Sequence, residues 1–184
     1  MNVYVESNFV LELALLQEQE ASCAEIVRLC EAGKVQLIIP AYSLAEPYET
    51  LVRRHRQRKR MKAELDAELR QLARTTSYAQ RLSSFQNLTV LLIDSADEEA
   101  KRLEEVRARL VKAAEVIPLE ALTLTAAFQY QRIHGLLPQD AIVYATVISH
   151  LRQHESSQSC FLNRNASPHY SWFLEFGLKN YIDR

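Results

Sequence analysis

The spacing of apolar positions changes several times along the chain, and each change predicts an element. Val3, Tyr4 and Val5 form a short apolar run, so residues 2–6 read as a first strand. Over residues 8–17, Phe9, Val10, Leu13 and Leu16 recur at helical spacing. Residues 22–32 repeat that pattern with Cys23, Ile26, Val27 and Cys30, and Gly33 follows where a helix commonly ends. Residues 35–39 (VQLII) run almost without a polar face and stop at Pro40, as expected for a strand buried on both faces. Residues 43–86 are helical in character, with a break near Thr75-Thr76-Ser77. Residues 88–93 (LTVLLI) predict a third buried strand, and residues 94–115 a charged amphipathic helix. Beyond Val116 and Pro118, a helix is expected over 119–133 and a turn at Gly135. Pro138 then opens DAIVYATVISHL, which is apolar on nearly every side and therefore expected to be buried. Cys160, Phe161 and Leu162 predict a fourth strand. A last helix carries Trp172, Phe173 and Phe176; Trp172, Phe173 and Tyr170 read as core rather than as a stacking platform.

Strands that alternate with helices and lack a polar face predict an α/β fold. The expectation is a three-layer α/β/α arrangement around a central parallel sheet of about four strands. No repeat, linker or low-complexity segment interrupts the 184 residues, so one domain is expected over 1–184, with a helical excursion at about 53–87.

Composition narrows the function classes. Three glycines are too few for a Gly-rich phosphate loop or a turn-dense all-β fold. A formal net charge of −1 supplies no global field toward nucleic acid or membrane, so only local patches matter. Cys23, Cys30 and Cys160 form no C-x-x-C pair and read as reduced, buried thiols. The N-terminus has no basic region, and Glu6 and Glu12 break any signal-peptide core. No apolar stretch is long enough to span a bilayer, so a soluble, cytoplasmic protein without a membrane partner is expected.

The polar residues that follow the strands carry the candidate chemistry, because open α/β sheets gather function at the carboxyl ends of their strands. Glu6, Ser7 and Asn8 follow the first strand, PAYSLAE with Glu46 follows the second, and Asn163-Arg164-Asn165 follow the fourth. Asp140 opens the buried helix. Each has a plainer reading. Glu6 or Asn8 can cap a helix. Ser43 and Glu46 fit an S-x-x-E capping box, although Pro47 spoils it by removing an early helical hydrogen bond. Asp140 suits the first turn of a helix through the dipole. Asp94 reads as ordinary helix-start chemistry. The combination favours a site. Two carboxylates about 5 Å apart repel by roughly 3 kcal/mol at an effective dielectric of 20, so three together call for a cation or protons. All-oxygen ligands suit Mg²⁺ or Mn²⁺, and such an ion suits phosphodiester hydrolysis.

Four segments, in order, resemble the PIN domain, the nuclease fold of many toxin–antitoxin ribonucleases and RNA-processing enzymes. VYVESNFVLEL resembles its opening strand, acid, Ser/Thr, Asn and helix. IPAYSLAEPYETL resembles its strand, Ser and Glu, and HGLLPQDAIVYATVISHL its Asp before a buried helix. CFLNRN resembles its last strand and polar triplet. The resemblance implies a divalent-metal-dependent endoribonuclease in which Glu6, Glu46 and Asp140 hold Mg²⁺ or Mn²⁺ and Asn165 is a fourth catalytic member. Ser7, Asn8 and Ser43 would support them. It also implies RNA as substrate and, by analogy, an antitoxin or other protein partner and a homodimer. The sequence departs from the family in carrying Glu6 where Asp is usual. Asn163 stands where Ser or Thr is usual, and Ser167-Pro168-His169-Tyr170 replace an Asp-Phe pair. These departures keep a second reading open, a weak or inactive PIN-like domain that binds RNA or a protein partner.

Residues 53–62 (RRHRQRKRMK) gather seven of the 22 Lys and Arg residues. Such a run reads either as a solvated helix face, partly neutralised by Glu64, Asp66 and Glu68, or as a phosphate-binding strip. The RNA-contact candidates are Arg53, Arg54, Arg56, Arg58, Lys59 and Arg60. His134 and His150 stand singly, without zinc-site spacing, and read as structural.

Overall fold

The apolar runs of the first, second and fourth predicted strands pair into one sheet in a computed structural model that describes residues 1–79, 82–154, 158–163 and 179–181. The elements in chain order are β1 (Asn2–Val5), α1 (Ser7–Leu15), α2 (Glu20–Glu31), β2 (Gln36–Pro40), α3 (Ala41–Leu72), α4 (Thr76–Ala79) and α5 (Ser83–Ala113). There follow β3 (Glu115–Ile117), α6 (Ala121–His134), α7 (Pro138–Gln153), β4 (Ser159–Leu162) and β5 (Lys179–Tyr181). All pairings are parallel, in the order β3-β2-β1-β4-β5, so the sheet has five strands. The predicted last helix, with Tyr170, Trp172, Phe173 and Phe176, lies outside the described residues.

The chain divides into two compact units, Met1–Pro47 with Leu103–Arg184, and Tyr48–Arg102. In the first unit, strand alternation sends side chains to two faces. Tyr4, Ile38 and Phe161 stand level in the register and join α6 and α7 in one core, through Ala127, Ala141, Tyr144, Val147 and Ile148. Val3, Val5, Leu37, Ile39 and Cys160 alternate with them, and α1 and α2 supply the buried Phe9, Val10, Leu13, Cys23 and Val27. This is the three-layer α/β/α arrangement. Helix α2 ends as the sequence predicts: Gly33 adopts φ +68, its N–H donates to Cys30 O and the Lys34 N–H to Leu29 O, a Schellman motif. Cys23 and Cys160 are buried and Cys30 half-buried, all three as free thiols.

The second unit is helical in its described residues except at 73–75 and 82. The expected break falls at 73–75. The strand expected over 88–93 is instead helical, an early part of α5. A six-residue apolar run fits a buried strand or a helix equally well by period, and length decides between them. Here the strong helix formers that follow from Glu98 carry one helix on to Ala113, so the helix wins. Leu88, Val90 and Leu91 are also 45, 53 and 61% exposed, the opposite of a buried strand. The third strand is Glu115–Ile117, a three-residue segment too short to announce itself by pattern.

Candidate active site

β1 has β2 on one side and β4 on the other, so the chain leaves it in opposite directions. Such a switch point opens a crevice at the carboxyl ends of the strands. Glu6 is the first residue past β1 and Asn163 the first past β4, and the pairing of Val5 with Leu162 sets them at the same level.

Glu6 occupies the N-cap of α1 with extended backbone (φ −119, ψ −174), but its side chain makes no capping bond. Its carboxylate accepts a hydrogen bond from Asn8 Nδ2 at 2.9 Å. The residue is only 6% exposed. Burial pushes its pKa up to about 7; the Asn8 bond opposes the rise, and the charges of Asp140 and Glu46 add to it. The carboxylates on α3 and α7 therefore both act on the one at the end of β1.

Glu46 lies in the second turn of α3. That helix starts at Ala41, so Ser43 and Glu46 are inside it and form no capping box. Glu46 Oε2 instead accepts the hydroxyl of buried Ser7. Adjacent residues of α1 thus brace two different acids, Asn8 holding Glu6 and Ser7 holding Glu46. Pro47 removes the N–H that would have bonded the Ser43 carbonyl. Ser43 is fully buried, and its Oγ has no hydrogen-bond partner among the described residues.

Asp140 stands in the first turn of α7, after Leu137 at the N-cap and Pro138. The next residues, Ala141, Val143, Tyr144 and Ala145, are buried in the core, which fixes where Asp140 emerges. Asn165 lies outside the described residues. Asn163, one of the polar residues that follow the fourth strand and a departure from the family pattern, is buried at the strand end, level with Glu6. A second buried acid, Glu12, serves structure: its Oε2 accepts the Gln19 N–H at 3.0 Å and holds the α1–α2 turn.

Three carboxylates, one of them almost wholly desolvated, offer the oxygen donors that a hard divalent cation takes. Burial first, and the charges of Asp140 and Glu46 after it, oppose the ionised form of Glu6.

The basic run occupies α3 within the second unit. Arg53, Arg56, Lys59 and Arg60 are exposed and Arg54 half-buried. Arg60 pairs with Glu64 at 2.9 Å and Lys62 with Asp66 at 2.5 Å, each one helical turn on. Arg58 differs from its neighbours. It makes a bidentate pair with Glu99 at 2.8 and 2.9 Å and also donates to Ser95 Oγ, so its charge is already matched within the unit.

A family model described as PIN domain matches residues 3–167. Among solved structures, that of VapBC2 from Rickettsia felis bound to a DNA fragment from their promoter matches with a TM-score of 0.45 and 10% identity, over 98% of each chain. No curated protein sequence matches the chain.

Proposed function

We propose, from the premise that this chain belongs to the PIN domain family of nucleases, that it is a divalent-metal-dependent endoribonuclease. The observation that carries the reading is the buried Glu6, whose proton affinity is raised in part by Asp140 and Glu46. Glu6, Glu46 and Asp140 would hold Mg²⁺ or Mn²⁺. Bound there, such an ion lowers the pKa of a water ligand and stabilises charge on phosphoryl oxygens. Ser7 and Asn8 keep two of the acids in place by hydrogen bonds. Asn163 and Asn165 supply polar groups beyond β4. Arg53, Arg54, Arg56, Lys59 and Arg60 neutralise RNA phosphates without reading sequence. An antitoxin or a second copy of the chain would find apolar side chains on α6, where Leu122, Phe128 and Ile133 are exposed. Among the described residues no helix is long and apolar enough to cross a membrane.

A second reading, a PIN-like domain that binds RNA or a protein partner without cutting, draws on the same residue. With a pKa of about 7, Glu6 carries only part of its negative charge at neutral pH until a cation claims it. Cleavage of a labelled, structured RNA pool with Mn²⁺ or Mg²⁺ separates the two. Cleavage abolished by EDTA and by Asp140→Asn supports the nuclease; RNA binding without cleavage over a range of metals supports the binder.

A further inference from the structure

α7 carries chemistry at both ends. Asp140 begins it; His150 lies in its last turn and His154 caps it, ten and fourteen residues on, roughly 15–20 Å along the axis at 1.5 Å per residue. His150 and His154 are four apart and share one face of the helix, with their rings stacked at 4.1 Å between centroids. Glu115, which begins β3, meets them. Its Oε1 lies 3.0 Å from His150 Nε2, and one ligand atom from each of the three residues falls within 4.8 Å of the others. No motif marks Glu115, and His150 alone lacks zinc spacing; its i, i+4 partner His154 was the missed signal.

Each of the three is held from behind. His150 Nδ1 is 2.9 Å from the Tyr4 hydroxyl, deep in the core. His154 Nδ1 is 3.1 Å from the His150 carbonyl, which leaves Nε2 as its ligating nitrogen. Glu115 Oε2 accepts from Gln36 Nε2 at 2.5 Å, which turns Oε1 toward His150. Metal-ligating histidines are oriented in this way, with the second ring nitrogen on a carbonyl or hydroxyl and the carboxylate itself hydrogen-bonded. The cluster opens on a cavity of about 170 Å³, lined also by Glu120, Thr123 and Thr146, with room for an ion and water. The negative end of the helix dipole lies at this end of α7 and favours a cation.

We propose that Glu115, His150 and His154 form a second metal site, distinct from the carboxylate site in place and in chemistry, that takes Zn²⁺. Two imidazoles and one carboxylate select zinc over magnesium. Ligand bonds of about 2.0–2.2 Å put tetrahedral ligands roughly 3.4 Å apart, so on binding the wider gaps close by up to about 1.4 Å and the 3.0 Å His150–Glu115 pair opens slightly. His154, exposed at the helix cap, supplies that movement. The ion takes the place of the His150–Glu115 hydrogen bond. The ring proton of His150 then resides on Nδ1 and donates to the Tyr4 oxygen. The fourth position faces the cavity and takes water. The site ties β3 to the end of α7.

The test is titration of the chelator-stripped full chain with Co²⁺, a zinc surrogate whose tetrahedral complexes absorb strongly in the visible. The expected result is one equivalent of strong absorption, displaced by Zn²⁺ but not by Mg²⁺ and kept in Asp140→Asn. It should weaken at least tenfold in affinity in His154→Ala and in Glu115→Gln. His154 is exposed and Glu115 half-exposed, so both variants should fold, as circular dichroism would verify. Absence of the band, its persistence at full affinity in folded His154→Ala, or its loss in Asp140→Asn would overturn the proposal.

Discussion

The two ends of α7 set similar donors in opposite surroundings. At its N-terminus Asp140 shares a field with Glu46 and the buried Glu6, three acids whose charges oppose one another. At its C-terminus Glu115 meets two imidazoles and already has a partner in His150. The first end offers oxygen only and suits hard cations; the second mixes nitrogen with oxygen and suits zinc. One apolar helix, locked by Tyr144, Val147 and Ile148, fixes the separation of the two groups of donors. A buried helix is thus a ruler as well as a core element.

The largest effect that sharpens this contrast is loss of an acid. Asp140→Asn or Glu46→Gln should reduce RNA cleavage by more than about 100-fold in single-turnover assays, beyond what loss of a supporting partner costs. Retention of half the rate in either variant would break the assignment. Next comes the electrostatic cost of Glu6. Unfolded, it titrates near 4.5; folded and metal-free, near 7. Between those values the folded state holds a proton that the unfolded state has lost, so stability falls as pH rises from 4.5 to 7 and then levels off. The displacement corresponds to roughly 3 kcal/mol above pH 7. In EDTA, Glu6→Gln should remove this fall and be the more stable protein at pH 8, as urea denaturation would read. A wild-type protein equally stable at pH 5 and pH 8 would contradict it.

Ser7→Ala should be milder, because it frees Glu46 without removing it. A loss of roughly 10–100-fold in activity or Mn²⁺ affinity is expected. The smallest effects belong to the basic run. Arg56→Ala and Lys59→Ala should each flatten the salt dependence of single-stranded RNA affinity, by about 0.7 in logarithmic slope per contact. Arg58→Ala should lower the stability of the helical unit instead, by about 1 kcal/mol given its partial exposure. Equal behaviour of all three in RNA binding would show that the Glu99 pair does not set Arg58 apart.

Much of the first unit was legible because its elements obey one period each. Val3 to Val5, residues 37–40 and Cys160 to Leu162 have no polar face, and the helices between them end at signals such as Gly33 and Gly135. Glu6, Glu46 and Asp140, on which the proposed site rests, stand out in the sequence because each follows a strand or opens a buried helix. Residues 88–93 misled, because β-branched and leucine residues in a short run satisfy both periods and only the length of the surrounding helix decides. Glu115 was hidden for the converse reason: three residues of β3 carry no period at all. The His150–His154 pair went unremarked because its third member is 35 residues earlier in the chain, brought near only by the pairing of β3 with β2.

The most direct test of the account is equilibrium binding of Mn²⁺ to the chelator-stripped protein, read by the electron paramagnetic resonance of the free ion, in wild type, Glu6→Gln, Glu46→Gln and Asp140→Asn. Three acids from separate elements acting as one site predict one strong equivalent in wild type, weakened at least tenfold in each variant. Wild-type affinity retained in folded Asp140→Asn would show that the three carboxylates do not share an ion.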